Sequence, residues 1–234
     1  MKLRISPTTV EEFRKVVDTD LPFATEEKLV DSVARRGTVG WQAHWGTALH
    51  AFIEAPDTYR STDGTCYRYP RDTADPIVYP AEVVDPCVTS WPRPCVFERP
   101  MERTALLVVG HEVLVSGRAD ALHGLVIVEG KTRFGPVYVD SYADSFQPMA
   151  YLWCLPWASC VEFRVHEIRG VKDEGGVPSV SSSGLTLAAI HVFRVWRQAD
   201  LEDRVTDLLG RFVEWAESRD LLDYLRADRP RSRR

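Results

Sequence analysis

Apolar residues recur at helical spacing in several stretches of the chain and gather into short, near-continuous runs in its middle. Ser6-Pro7, followed by Val10, Phe13 and Val16-Val17 among charges, predicts a helix over about 7–17. Ser6 is the N-cap there, and proline takes the first helical position, where its missing N–H costs nothing. The same spacing predicts helices over 25–36 and 40–54, the latter carrying Trp41, Trp45, Leu49, Phe52 and Ile53. Between Pro56 and Pro100 no period persists, and eight of the fifteen prolines fall there with three cysteines, which predicts an ordered loop or short-strand excursion. Ala105–Val109, Val113–Val115 and Leu125–Val128 read as consecutive strands, with Gly110-His111 and His123-Gly124 as the turns between them. Helical spacing returns over 141–155, strands follow over 161–168 and 187–195, and a last helix covers 199–219. The Gly- and Ser-rich stretch 170–184 is the loop between the two late strands. Strands apolar on both faces need cover on both faces. The expected fold is therefore α/β (α+β), a central mixed sheet with helices on each side, in one domain over 1–234.

Composition narrows the class without naming the chemistry. A length of 234 residues suits one core and leaves no room for a fused motor domain. No run of about 18 apolar residues exists to span a bilayer, and the start of the chain lacks a secretory leader, so a cytoplasmic setting without membrane contact is expected. Five cysteines (Cys66, Cys87, Cys95, Cys154, Cys160) form no CxxC pair, which argues for free thiols over a disulfide framework or zinc ribbon. A net charge of -5 gives no global sign of a nucleic-acid binder.

The chemistry gathers at the most apolar part of the chain. Gly117-Arg118-Ala119-Asp120 is followed nine residues after the aspartate by Glu129-Gly130-Lys131. Burying an unpaired carboxylate is costly, so two acids and a lysine among strands call for a partner, and a cation is the natural one. Glu129 and Lys131 share a strand face by the period of 2, and the His123-Gly124 turn brings Asp120, placed at the end of its strand, beside Glu129. Two carboxylates with the Gly130 carbonyl make a hard-cation site with open positions, suited to Mg²⁺ or Mn²⁺. Lys131 then stands where it can orient a water or offset developing charge.

These elements resemble the PD-(D/E)XK nuclease superfamily, and within it the RecB-like nucleases. Its four signatures occur in order: Gly46-Thr47-Ala48-Leu49-His50, Gly117-Arg118-Ala119-Asp120, Glu129-Gly130-Lys131, and Gln147-Pro148-Met149-Ala150-Tyr151. Alanine stands at 119 where the superfamily's nominal residue is proline. The resemblance runs from the first helix to about Leu155. It implies a restriction-endonuclease-like core and a metal-dependent deoxyribonuclease, with an exonuclease of recombination, repair or phage DNA processing favoured, working in a bacterial or phage-infected cell. It further implies Asp120 and Glu129 as metal ligands, His50 as an additional ligand, Lys131 as the catalytic lysine, and Gln147 and Tyr151 along the DNA groove. DNA, single- or double-stranded, is the implied partner; a separate helicase or annealing protein and self-association are compatible with a chain lacking a motor. With no cysteine after Cys160, no iron-sulfur cluster is expected.

Blander readings stand beside these. Gln147 and Tyr151, at i and i+4, share a helix face and serve packing as readily as DNA contact. Arg118 and Arg133 can reach phosphates or pair with nearby carboxylates. The arginines at 226, 229, 231, 233 and 234 form either a DNA-touching tail or a solvated terminus. Pro148 predicts a helix starting near it, with Gln147 at its edge. Gly130-Lys131-Thr132 imitates a phosphate loop, but five residues rather than four separate Gly124 from Gly130, so no nucleotide is expected. Two rivals to an exonuclease remain: a site-specific endonuclease, and an inactive nucleic-acid-binding module of the same fold.

Overall fold

The computed structural model describes residues 1–18, 24–34, 36, 40–70, 76–106, 110–170 and 184–228. In chain order the elements are β1 (Lys2–Ile5), α1 (Pro7–Val17), α2 (Glu26–Val33), α3 (Trp41–Glu54), α4 (Pro56–Tyr59), β2 (Cys66–Tyr69), β3 (Ile77–Pro80), α5 (Ala81–Ser90) and β4 (Val96–Leu106). There follow β5 (Glu112–His123), β6 (Val126–Phe134), α6 (Val139–Ala143), α7 (Phe146–Cys154), β7 (Cys160–Arg169), β8 (Thr186–Trp196), α8 (Leu201–Glu217) and α9 (Leu222–Leu225). Among the described residues no helix is long and apolar enough to cross a membrane, and none of the five cysteines is bridged.

Six strands form one mixed sheet in which β6, β7 and β8 follow one another from β5, β1 also pairs with β5, and β4 runs antiparallel along the other edge of β5. One face is covered by α1, α2, α7 and α8, which bury Phe13, Phe146, Trp153, Phe212 and Trp215. The opposite face is covered by α3, α5 and the β2–β3 pair, around Trp45, Phe52, Tyr67 and Tyr79. Helices on both faces of a mixed sheet are what strands apolar on both sides require.

One break in this sheet matters for function. β1 and β6 both pair with the same edge of β5, β1 along Glu112–Val115 and β6 along Ala121–His123. The intervening Ser116–Asp120 edge has no strand neighbour. At the same rung β4 and β5 change face: Ala119 and Met101 join the core on the α1–α7 side, whereas Ala121 and Phe97 join the core on the opposite side. Glu98, between them on β4, adopts φ 52. A left-handed residue inside a strand interrupts the alternation of side chains.

Several boundaries differ from those the sequence predicts. The 56–100 stretch holds a ten-residue helix, α5, with Pro86 inside it. Proline in that position masks the helical period, yet Val83, Val84 and Cys87 still bury one face against α3. β4 begins at Val96, inside the proline-rich stretch, and 107–109 lie outside the described residues, as do 171–183 of the late loop and the tail arginines from 229 onward. Asp120 is not at the end of its strand, because β5 continues to His123. The helical stretch 141–155 is two helices, broken at Asp144-Ser145, and Gln147 falls in the first turn of the second.

Candidate active site

The unpaired edge of β5 is where the candidate residues meet. In place of a neighbouring strand, the Arg118 carbonyl accepts a hydrogen bond from the Tyr151 hydroxyl at 3.0 Å. A few residues on, the Asp120 carboxylate accepts from the Gly130 N–H at 2.8 Å. Side chains thus substitute for ladder bonds that the diverging β6 cannot make.

Glu129 is 3% exposed and faces α7. Its Oε1 accepts from Lys131 Nζ at 2.7 Å and from Gln147 Nε2 at 2.7 Å. The second oxygen, Oε2, is buried with no partner among the described residues. Gln147 Nε2 also donates to the Tyr151 hydroxyl at 2.7 Å, so the i, i+4 pair on α7 acts as a bracket between Glu129 and β5. On the other face of β6, Gly130 packs under α3. A Cβ at this position would lie 2.9 Å from the Trp91 ring and 3.0 Å from His50 Nε2, so only glycine fits without displacement. His50 Nδ1 stands 3.5 Å from Asp120 Oδ2.

Charge is strongly perturbed here. Burial, reinforced by Asp120 and only partly offset by Lys131, pushes the Glu129 carboxyl up to about 7. Burial also raises Asp120, but His50, Lys131 and the Gly130 N–H outweigh it and hold that carboxyl below its ordinary value. Lys131 resists burial through Glu129 and Asp120 and stays above its ordinary value; His50 does the same through Asp120. His166, fully buried and with no well-formed hydrogen bond to either ring nitrogen among the described residues, is pushed down by burial to about 4.

A hard cation fits this donor set. The Glu129 oxygen left without a partner among the described residues is one whose charged form burial disfavours, and a cation held with Asp120 would supply the missing partner. Among the described residues no three His, Cys, Asp or Glu side chains converge closely enough to hold a metal by themselves. An ion would therefore rest on the two carboxylates, with water or substrate oxygens and the Gly130 carbonyl completing its shell.

The two arginines divide. Arg118 is exposed and paired with Glu98 at 2.6 Å, while Arg133 is exposed beyond Lys131 on β6. Trp91, on the loop after α5, lines a narrow cleft with His50, Glu98 and Asp120 and stacks on Phe97 at 5.7 Å. At 4% exposure it is a packing residue that shapes the site. Trp91 and Glu98 come from the proline-rich stretch, and no local pattern in the sequence distinguishes them.

Fold and site together define an α/β protein with a buried acid–lysine pair at a break in a mixed sheet. No family model and no curated protein sequence matches the chain. Among solved structures it is similar to SSO0001, with a TM-score of 0.50 and 13% identity over 92% of this chain and 77% of that one. A candidate exonuclease from Eubacterium rectale gives a TM-score of 0.49 at 12% identity, covering 99% and 90% of the two chains. An alkaline exonuclease from Laribacter hongkongensis gives 0.42 at 10% identity, covering 95% and 91%. At 13% identity the likeness to SSO0001 is one of fold, and no residue role is carried over from any of the three.

Proposed function

We propose that the chain is a metal-dependent deoxyribonuclease of the PD-(D/E)XK type, RecB-like in its motif order, that hydrolyses DNA phosphodiester bonds. The observation that carries this reading is the meeting of Asp120, Glu129, Lys131, Gln147 and Tyr151 at one break in the sheet, with a buried Glu129 oxygen left unpartnered. These residues come from three separate elements. A merely structural ion pair would satisfy both carboxylate oxygens.

Asp120 and Glu129 would hold a divalent ion, Mg²⁺ or Mn²⁺, with His50 against Asp120. Bound there, the ion supplies Lewis-acid polarisation of the scissile phosphate and acidifies a water. Lys131 holds a cationic donor beside Glu129, where it would orient an attacking water or offset negative charge developing on the phosphate. Gln147 fixes the Glu129 carboxylate in place, and Tyr151 fixes Gln147. Arg118 and Arg133, both exposed, would meet the backbone of a DNA strand, Arg118 after leaving Glu98. A net charge of -5 does not oppose this, because the acidic ligands count as negative only until an ion arrives. Removal of nucleotides from an end is the favoured mode, on the motif resemblance.

The test uses end-labelled linear and covalently closed DNA, single- and double-stranded, with Mg²⁺, Mn²⁺ or EDTA. Cleavage of linear DNA with either ion, abolished by EDTA and by Asp120→Ala or Lys131→Ala, is the expected result. No ion-dependent cleavage, or cleavage unchanged in both variants, overturns the proposal; cleavage of closed circles replaces the exonuclease with an endonuclease.

A further inference from the structure

The Gln147–Glu129 hydrogen bond depends on where the first turn of α7 sits, and that turn is capped from a distance. Ser145 occupies the N-cap position, but its hydroxyl donates to the Tyr142 carbonyl at 2.7 Å and does not reach the helix. The buried Phe146 N–H donates instead to Glu11 Oε2 at 2.7 Å, across 135 positions of sequence. Glu11, on α1, is itself only 7% exposed. Its charge is balanced by Arg14, whose Nε and Nη2 donate to the two oxygens at 3.0 and 2.9 Å, and by Lys15 at 3.5 Å. Pro7, at the start of α1, and the Tyr151 ring both approach β5 at Gly117, where a Cβ would lie 3.4 Å from the first and 3.6 Å from the second. The Gln147 end of the bracket is thus set against α1, and the Tyr151 end against β5.

We propose that Glu11 is a positioning residue for the Gln147–Tyr151 pair, fixing the height and rotation at which Gln147 meets Glu129. A buried N–H without an acceptor drives the first turn to shift or fray toward water. Gln147 is the next residue along and moves first. Tyr151, one turn later and tied to the Arg118 carbonyl, moves less. The effect on cleavage rests on the nuclease reading, whereas the effect on the Gln147 side chain does not.

The experiment compares Glu11→Ala, Glu11→Gln, Gln147→Ala and the double Glu11→Ala/Gln147→Ala variant in the full chain. Without metal or DNA, nuclear magnetic resonance of the Gln147 side-chain amide is expected to show slow hydrogen exchange in wild type. Glu11→Ala should accelerate it by about tenfold or more, and Glu11→Gln should retain most of the protection because its amide oxygen can accept from Phe146. In cleavage assays Glu11→Ala and Gln147→Ala should each lose about tenfold, with the double variant no worse than the weaker single. A lower melting temperature in Glu11→Ala with the Gln147 amide still protected overturns the proposal, as does a double loss equal to the product of the singles. Should wild type not cleave DNA at all, the nuclease reading fails and the exchange comparison alone decides the role of Glu11. If Glu11→Ala does not fold, Glu11→Asp, which withdraws the carboxylate by one methylene, carries the same comparisons.

Discussion

Replacing Glu129 by glutamine should change how stability depends on pH when no metal is present. In the folded protein burial, offset in part by Lys131, pushes this carboxyl up to about 7, whereas its ordinary value is 4.5. Between those values the folded protein keeps a proton that the unfolded chain has released, so stability falls as pH rises. Over about 2.5 pH units, at about 1.4 kcal/mol per unit, the loss is about 3 kcal/mol. His166 works in the opposite sense. Buried and pushed down to about 4 from 6.5, it refuses a proton that the unfolded chain accepts, so stability rises with pH across nearly the same window. The wild-type curve is therefore expected to be almost flat there, and the difference between wild type and Glu129→Gln removes the His166 contribution and leaves that of the carboxylate with its pull on His50. Asp120, held below its ordinary 3.8, contributes stability that is present above that value and fades only at lower pH. His50, held above 6.5, contributes stability that is complete below 6.5 and lost as pH climbs past its folded value, at the upper edge of the window. Urea unfolding in EDTA from about pH 4.5 to about pH 7.5 should show the variant gaining about 3 kcal/mol on wild type, or roughly 6–12 °C in melting temperature. The offset at the acid end reflects the lost partner of Lys131; only the slope tests the reasoning. A difference that stays level with pH refutes the claim that burial governs Glu129.

Two further substitutions probe the packing around the site, and a third an open position of α8. Gly130→Ala would drive a methyl against Trp91 and His50, and it should cost about 1–3 kcal/mol in thermal unfolding; an unchanged melting temperature would show that the α3 side is looser than its geometry. Tyr151→Phe removes the donor that satisfies the Arg118 carbonyl and a partner of Gln147, with an expected loss of about 1 kcal/mol, read by urea titration, and no loss would mean that water replaces the hydroxyl freely. Gly210→Ala, in α8 where a Cβ meets nothing within 4 Å, should stabilise the protein by about 1 kcal/mol, and a decrease would indicate a contact absent from this structure.

Much of the geometry around the candidate residues is legible in the sequence because its signals are local. Glu129 and Lys131 share a face through strand alternation, and both reach the same side of β6. Gln147 and Tyr151 share a face through helical spacing and hydrogen-bond to each other. The N-cap role of Ser6 is a matter of three residues, and its hydroxyl accepts from the Thr9 N–H as expected. By contrast α5 was hidden by Pro86, whose ring and missing N–H argue against helix in any short window, while burial of Val83, Val84 and Cys87 against α3 outweighs that cost.

The sequence by itself determined the alternation of helix and strand, the mixed sheet covered on both faces, and which ionisable side chains lie in its apolar centre, because hydrophobic period and residue order are properties of neighbouring positions. Only the tertiary structure decided that β1 and β6 abut the same edge of β5 and leave Ser116–Asp120 open between them, that Glu98 rather than solvent holds Arg118, and that Glu11 caps a helix 135 residues away. Those facts depend on strand order and helix docking. Both are set by contacts between segments far apart in the chain, where no short-range pattern records which buried N–H meets which carboxylate.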